Sequence, residues 1–226
     1  MISAAAVFVG AFVWNNRVMS NRYWISVGAI AVAAALAGVF LARNLNLPAV
    51  PSLESGTSLP KPRVLAPFNL LDAQGRPASA NTLRGHPTLV FFGFTHCPDV
   101  CPTTLALLTS VQKQAALPNL KIALISVDPL RDTPEQLGRY VSSFGGDLIG
   151  LTGSASGIVS ATKSFGVAFE RVDLPGGDYT MDHSATIFVL DSAARIVAVF
   201  TPPLSAAALT RDIGRLKPVL GGDQTS

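Results

Sequence analysis

Residues 88–102 read TLVFFGFTHCPDVCP. Thr88 to Phe94 is a continuous apolar run, and its length with its aromatic and β-branched content predicts a strand buried on both faces. A sharp turn, Cys97-Pro98-Asp99-Val100-Cys101, follows. Pro102 then opens a helix running to about Ala116; proline is tolerated in a first turn because its missing N–H would be an orphan there. This unit of strand, two-cysteine turn and helix is the frame for reading the rest of the chain.

Downstream, Lys121 to Val127 predicts a second buried strand. Thr133 as N-cap, Pro134 at the first helical position and Glu135 in the first turn start a helix that ends near Phe144. Leu148 to Leu151 reads as a short strand and Ser154 to Phe165 as a helix. Ala185 to Leu190 is a further strand, turned by Asp191-Ser192-Ala193-Ala194 into Ile196 to Phe200. Leu204 to about Arg215 closes the fold as a helix. Upstream, Phe68 to Pro77 reads as a hairpin turning at Asp72-Ala73-Gln74-Gly75. Strands alternating with helices predict α/β layers around a central mixed sheet.

The 226 residues are 49% hydrophobic and 14% charged, fewer charges than an ordinary soluble domain carries. The apolar excess sits in Tyr23 to Ala42, which holds no charged residue. Twenty helical residues span about 30 Å, the thickness of a bilayer core. Tyr23 and Trp24 stand where an interfacial aromatic belt would be. Arg17 and Arg22 precede the run and Arg43 follows it, which places the N-terminus in the cytoplasm. The Ala35-Leu36-Ala37 triplet lies inside the run rather than after it, so an uncleaved anchor is favoured over a cleaved signal peptide.

The chain therefore divides into an N-terminal cytoplasmic segment 1–22, starting at Met1 or Met19, and a transmembrane anchor 23–42. A linker 43–64 follows, rich in proline (Pro48, Pro51, Pro60, Pro62). A globular domain 65–220 and a tail 221–226 complete it. The net charge is +3, with no Lys/Arg run and no basic–aromatic interleaving, so nothing points to a nucleic-acid partner.

Cys97 and Cys101 are the only cysteines, too few for a disulfide-stapled scaffold. Unpaired N–H groups at a helix start favour a thiolate, so a lowered thiol pKa is expected. The thioredoxin dithiol is C-x-x-C; here the spacing is C-x-x-x-C. In a near-helical segment, positions four apart share a face, which permits a disulfide or a shared metal. Two thiolates are soft ligands suited to Cu(I) or Zn(II). A structural zinc site would need a second Cys or His pair, and the sequence has none.

A third ligand must come from three histidines. His183 is the candidate, in the loop Asp178 to Ser184 before the strand at Ala185; in a thioredoxin fold that loop sits against the active-site turn. Together Cys97, Cys101 and His183 would make a three-coordinate Cys₂His site. Strand alternation points His96 away from Cys97, and His86 reads as a solvated turn residue. Asp128, at a strand end, either orients a ligand or loop or forms the turn before Pro129. Met181 brings a thioether two residues from His183, although a packed or exposed methionine is the commoner case. Competing readings of the cysteines are a structural disulfide, which gains little from so short a loop, and a peroxidase nucleophile.

Phe91 to Pro102, together with Ser126-Val127-Asp128-Pro129, Arg131-Asp132-Thr133-Pro134 and Asp182-His183-Ser184, resembles the signature of the Sco/SenC family. The resemblance runs in order from about Phe68 to Leu216. It implies that 65–220 is a thioredoxin-like copper-binding domain with one Cu(I) or Cu(II) on Cys97, Cys101 and His183. It implies delivery of that copper to the CuA centre of cytochrome c oxidase. The implied partners are the oxidase subunit carrying CuA, other copper donors or thiol reductants, and a membrane. Alternatively, Cys97 and Cys101 act as a catalytic redox dithiol that reduces the cysteines of the copper acceptor. The short anchor, without an Arg-rich transit peptide, suggests a single-pass protein of a bacterial inner membrane with its domain on the periplasmic side. The alternative is the mitochondrial inner membrane, facing the intermembrane space.

Overall fold

The structure is a computed structural model that describes residues 21–44, 50–145 and 147–221. Helix α1 is Asn21–Asn44. Strands β1 (Gly56–Val64), β2 (Leu70–Asp72) and β3 (Pro77–Ala78) precede a 3-10 turn at Ala80–Leu83 and strand β4 (Thr88–Gly93). Helix α2 (Val100–Gln114), β5 (Lys121–Ser126), α3 (Pro134–Ser142), β6 (Leu148–Thr152) and α4 (Ala155–Phe165) form the middle. The chain continues through β7 (Phe169–Asp173), β8 (Tyr179–His183), β9 (Ile187–Leu190), β10 (Arg195–Phe200) and α5 (Ala206–Leu220).

Eight strands form one sheet in the order β1-β10-β9-β4-β5-β6-β2-β3. β4, β5 and β6 run parallel, and the remaining pairs are antiparallel. Every residue of β4 is buried, as expected for a strand covered on both faces. Phe91 and Phe92 are fully enclosed, each contributing about 1.5–3 kcal/mol from its removal from water. α2 packs on α5 and α3 on β6. Thr133 caps α3 by accepting the Gln136 N–H, with Pro134 next to it, and Ser154 caps α4 in the same way through Gly157. These two starts lie where the sequence puts them.

Three expectations need correction. Gly56–Val64, read as linker, is the first strand of the sheet. Pro60 and Pro62 are tolerated because β1 is an edge strand and its register with β10 shifts between Ser58 and Arg63, so neither ring interrupts a continuous ladder. Tyr179–His183, read as a loop, is a strand that pairs antiparallel with β7 in a separate two-stranded sheet. The closing helix runs to Leu220 and accommodates Pro218 inside its last turns.

The chain divides into two units at Ala49/Val50. In α1 the described side chains, Trp24 to Phe40, are exposed, large apolar groups such as Ile25, Val32 and Leu36 among them. Among the described residues no helix is long and apolar enough to cross a membrane. The expected span Tyr23 to Ala42 reaches past the described side chains at both ends, and the fold does not establish it as an anchor. Met1 and Met19, the 45–49 part of the linker and nearly all of the tail lie outside the described residues.

The segment leading into β1 is fastened by one acid. Asp212 of α5 is fully buried and accepts the N–H groups of Glu54 (2.8 Å) and Ser55 (2.8 Å), the Ser55 hydroxyl (3.0 Å) and Arg215 (3.0 Å). Burial works to raise its pKa, but these donors outweigh it and leave the value below the ordinary 3.8. The folded pKa is thus lower than the unfolded one, so this group stabilises the fold above the usual carboxylate range. Its contribution is lost as pH falls through the folded value. Asp212→Asn should cost about 2 kcal/mol in urea denaturation at neutral pH and should flatten the acid limb of the stability curve. An unchanged midpoint at neutral pH would remove Asp212 as the fastening point.

Candidate metal centre

The two-cysteine turn begins where β4 ends. Cys97 N–H donates to the Phe94 carbonyl (3.4 Å). Cys101 is the second residue of α2, one step earlier than Pro102, so the helix starts within the motif. Its N–H, one of the orphan donors of the helix start, points at Cys97 Sγ (3.3 Å). Both cysteines are free; Cys101 is fully buried and Cys97 half-buried.

Gly93 makes room for the Cys101 thiol. A Cβ at Gly93 would stand 2.9 Å from Cys101 Sγ and 3.0 Å from the Phe91 ring, so no larger residue fits without moving one of them. Burial first, with the neighbouring Cys97 and the Asp132 charge in addition, drives the Cys101 thiol pKa far upward. The lowered thiolate pKa expected from a helix start does not hold for Cys101, because its sulfur is sealed from water inside the core.

His183 ends β8. Its Nε2 lies 3.6 Å from Cys101 Sγ, and its Nδ1 faces the Ser184 carbonyl at 3.3 Å. The carbonyl can only accept, so Nδ1 carries the proton and Nε2 presents its lone pair to the sulfur. Burial lowers the His183 pKa, which favours the neutral ring. Phe91 and Phe94 meet the ring edge-on, at 5.9 and 6.0 Å between centroids. Among the described residues no three His, Cys, Asp or Glu side chains are already gathered as a metal site. Instead there are two adjoining contacts, Cys97 Sγ with the Cys101 amide and Cys101 Sγ with His183. Cys97 and His183 also border one small cavity of about 210 Å³. Met181 lines the same cavity and packs on the core.

Among the described residues Asp128 makes no hydrogen bond to the cysteines or to His183. Its carboxylate takes Arg131 Nε on one oxygen and the Tyr179 hydroxyl (2.8 Å) on the other. Arg131 also donates to the Tyr179 carbonyl (2.9 Å) and stacks on the Tyr179 ring at 3.7 Å, with Arg171 on the ring at 3.9 Å. Asp128 thereby fixes the first residue of the strand whose last residue is His183.

Sequence reading passed over Asp132. It is fully buried and accepts the Thr95 N–H (3.0 Å) and the hydroxyls of Thr95 (2.6 Å) and Ser126 (2.6 Å). An acid beside Thr133-Pro134 in the motif was the available signal, but its direction depends on the tertiary fold. His96 lies against Thr95 Oγ1 (3.0 Å). His86 is not solvated: it is half-buried, paired with Thr88 Oγ1 (2.9 Å), and its pKa is lowered by burial and by Lys121.

Two outcomes are expected. Gly93→Ala should destabilise the fold by about 1–3 kcal/mol through overpacking against Cys101, measured by urea denaturation; an unshifted midpoint would mean the thiol has other room. Tyr179→Phe keeps the ring stacking and removes the bond to Asp128. It should speed amide exchange in β8 about fivefold, and unchanged exchange would dissociate Asp128 from the hairpin.

Comparison with known proteins agrees with this architecture. A family model described as SCO1/SenC matches residues 56–217. An SCO2-like protein of Rickettsia prowazekii is 37% identical over 150 residues, covering 65% of this chain and 73% of that protein. Arabidopsis thaliana ScoI, solved with copper bound, superposes with a TM-score of 0.66 at 31% identity, over 69% of this chain and 99% of that one. BsSco, described as a Sco-family cytochrome c oxidase assembly protein with a disulfide switch, gives 0.53 at 26% identity, over 70% and 94%. The mixed sheet with its cysteine turn after β4 is the thioredoxin-like fold of these Sco structures. Matched from the first residue of β1 into the last helix, the chain belongs to the SCO1/SenC family.

Proposed function

We propose that this protein is a copper chaperone, taking one copper ion as cargo on Cys97, Cys101 and His183 and assisting assembly of the CuA centre of cytochrome c oxidase. The observation that carries the reading is the neutral Nε2 of His183 facing Cys101 Sγ at 3.6 Å, with the Cys97 sulfur beside the next amide. Two thiols and an imidazole suit a soft ion of low coordination number, and the imidazole accommodates Cu(II) as well as Cu(I). The two sulfurs lie on one turn that runs from Cys97 into the first residues of α2, while His183 arrives on a separate hairpin. A recipient protein can therefore replace the ligands stepwise, with the partly exposed Cys97 as the point of first exchange. Copper bound in ScoI and the oxidase-assembly description of BsSco support both halves of the reading.

The unequal exposure of the cysteines favours a second reading. A half-buried Cys97 in front of a sealed Cys101 is an attacking and a resolving pair, as in a thiol–disulfide oxidoreductase that reduces the acceptor's cysteines. The disulfide switch named for BsSco lends support. Other copper donors or thiol reductants would then reload the dithiol. The exposed apolar flank of α1 supports a single-pass anchor, with the domain on the periplasmic face of a bacterial inner membrane or in the mitochondrial intermembrane space.

The test is copper titration of the reduced full chain beside His183→Ala. One tightly held copper per chain is expected in the wild type, weakened at least about tenfold in the variant through loss of one ligand. Equal affinity in the variant would remove His183 from the site. Absence of tight copper in the wild type, with both thiols free, would leave the oxidoreductase.

A further inference from the structure

The chain holds three methionines, Met1, Met19 and Met181, and Met181 is the one that falls among the described residues. It lies in β8, two residues before His183. Residues two apart in a strand share a face, so Met181 stands on the face of the hairpin that carries the imidazole. Both are half-buried, and both border the cavity of about 210 Å³ that Cys97 also borders. Met181 rests at the same time against the core, which keeps its side chain at the cavity wall rather than in solvent.

The metal centre therefore has beside it a sulfur that neither cysteine supplies. Cys97, Met181 and His183 are the sulfur and nitrogen side-chain donors of the cavity lining, and the rest is hydrocarbon and oxygen. Cys101 joins them through its Sγ, 3.6 Å from His183 Nε2. A thioether is soft, carries no charge and has no proton to lose. It suits Cu(I), whereas Cu(II) is better served by imidazole and oxygen. Methionine is unbranched, with three rotatable bonds, so it can turn its sulfur toward an ion without a backbone movement.

We propose that Met181 is a further ligand of this centre, its thioether joining Cys97, Cys101 and His183 on Cu(I) and leaving Cu(II) to the other three. The inference rests on the copper reading of the site. It makes the hairpin an arm with two donors, of which His183 serves both oxidation states and Met181 the reduced one. With Cys97 as the point of first exchange, the arm keeps two donors on Cu(I) while that sulfur gives way to a recipient.

The experiment compares the full chain with Met181→Leu, a swap that conserves volume and apolar character and removes the sulfur. In the wild type labelled with selenomethionine and loaded with one Cu(I) per chain, the copper X-ray absorption spectrum should show a selenium neighbour. That neighbour should be missing in labelled Met181→Leu, which keeps the labels outside β8, and in the wild type loaded with Cu(II). Loss of the thioether should weaken Cu(I) about tenfold, the low end of what a group supporting a metal site contributes, and leave Cu(II) affinity as it was. For a one-electron couple this lowers the reduction potential of the bound copper by about 59 mV. Loss of packing alone would weaken both ions alike and leave the potential unmoved. Copper held by two sulfurs and an imidazole with no selenium neighbour, or a potential in Met181→Leu equal to that of the wild type, overturns Met181 as a ligand and leaves the copper site standing. Absence of tight copper in the wild type overturns the copper reading and this ligand with it.

Discussion

A buried carboxylate in a protein must be hydrogen-bonded on nearly every lone pair or it unfolds its surroundings, and Asp132 meets that demand by drawing three strand ends together. Its side chain holds Thr95 after β4 and Ser126 at the end of β5, and its carbonyl accepts the Thr152 hydroxyl (2.8 Å) at the end of β6. One residue later Thr133 caps α3. The C-terminal edge of the parallel strands is therefore a fixed platform. The cysteine turn leaves that platform two residues beyond Thr95, so an acid hydrogen-bonded to Thr95 and Ser126 helps to set where the two sulfurs lie. The carboxylate itself holds the ends of β4 and β5, while the β6 end rests on the backbone carbonyl of the same residue.

The hairpin that carries His183 is held by different means. β7 and β8 form their own small sheet, without ladder hydrogen bonds to the main one. Tyr179 is sandwiched between the Arg131 and Arg171 guanidiniums and bonded to Asp128. Cation–π stacking and the charge-assisted bonds from Tyr179 to Asp128 and from Arg131 to the Tyr179 carbonyl do here what a strand ladder does elsewhere. The two halves of the centre thus rest on supports of unequal stiffness. The sulfur side is built into the core beneath Gly93, and the imidazole side hangs on side-chain contacts.

Much of this was legible before any coordinates. The strand at Thr88, the capped helix at Thr133 and the terminal hairpin with its helix follow from apolar runs and capping residues that act locally. The candidate His183 was legible because only three histidines were available and one stood near an entering strand. β1 was hidden because prolines mark loops unless the strand lies at an edge, which is a tertiary property. β7 and β8 were hidden because Phe169–Asp173 is mostly exposed and shows no apolar alternation. The pKa of Cys101 went the other way from the local rule: the helix was expected to open at Pro102 and opens two residues earlier, at Val100, and the burial that overrides its effect comes from β4 and Gly93. Asp132 stood within a recognised motif, yet its role depends on where the ends of three distant strands fall.

The outer strands of the large sheet have a further consequence. β1 at one border carries Pro60 and Pro62, and β3 at the other is a two-residue strand that begins with Pro77. Neither border offers a neighbouring molecule a continuous row of amide donors on which to extend the sheet. The large sheet is therefore a poor template for strand-to-strand extension at either border, and the prolines that obscured β1 in the sequence are what blunt one of them.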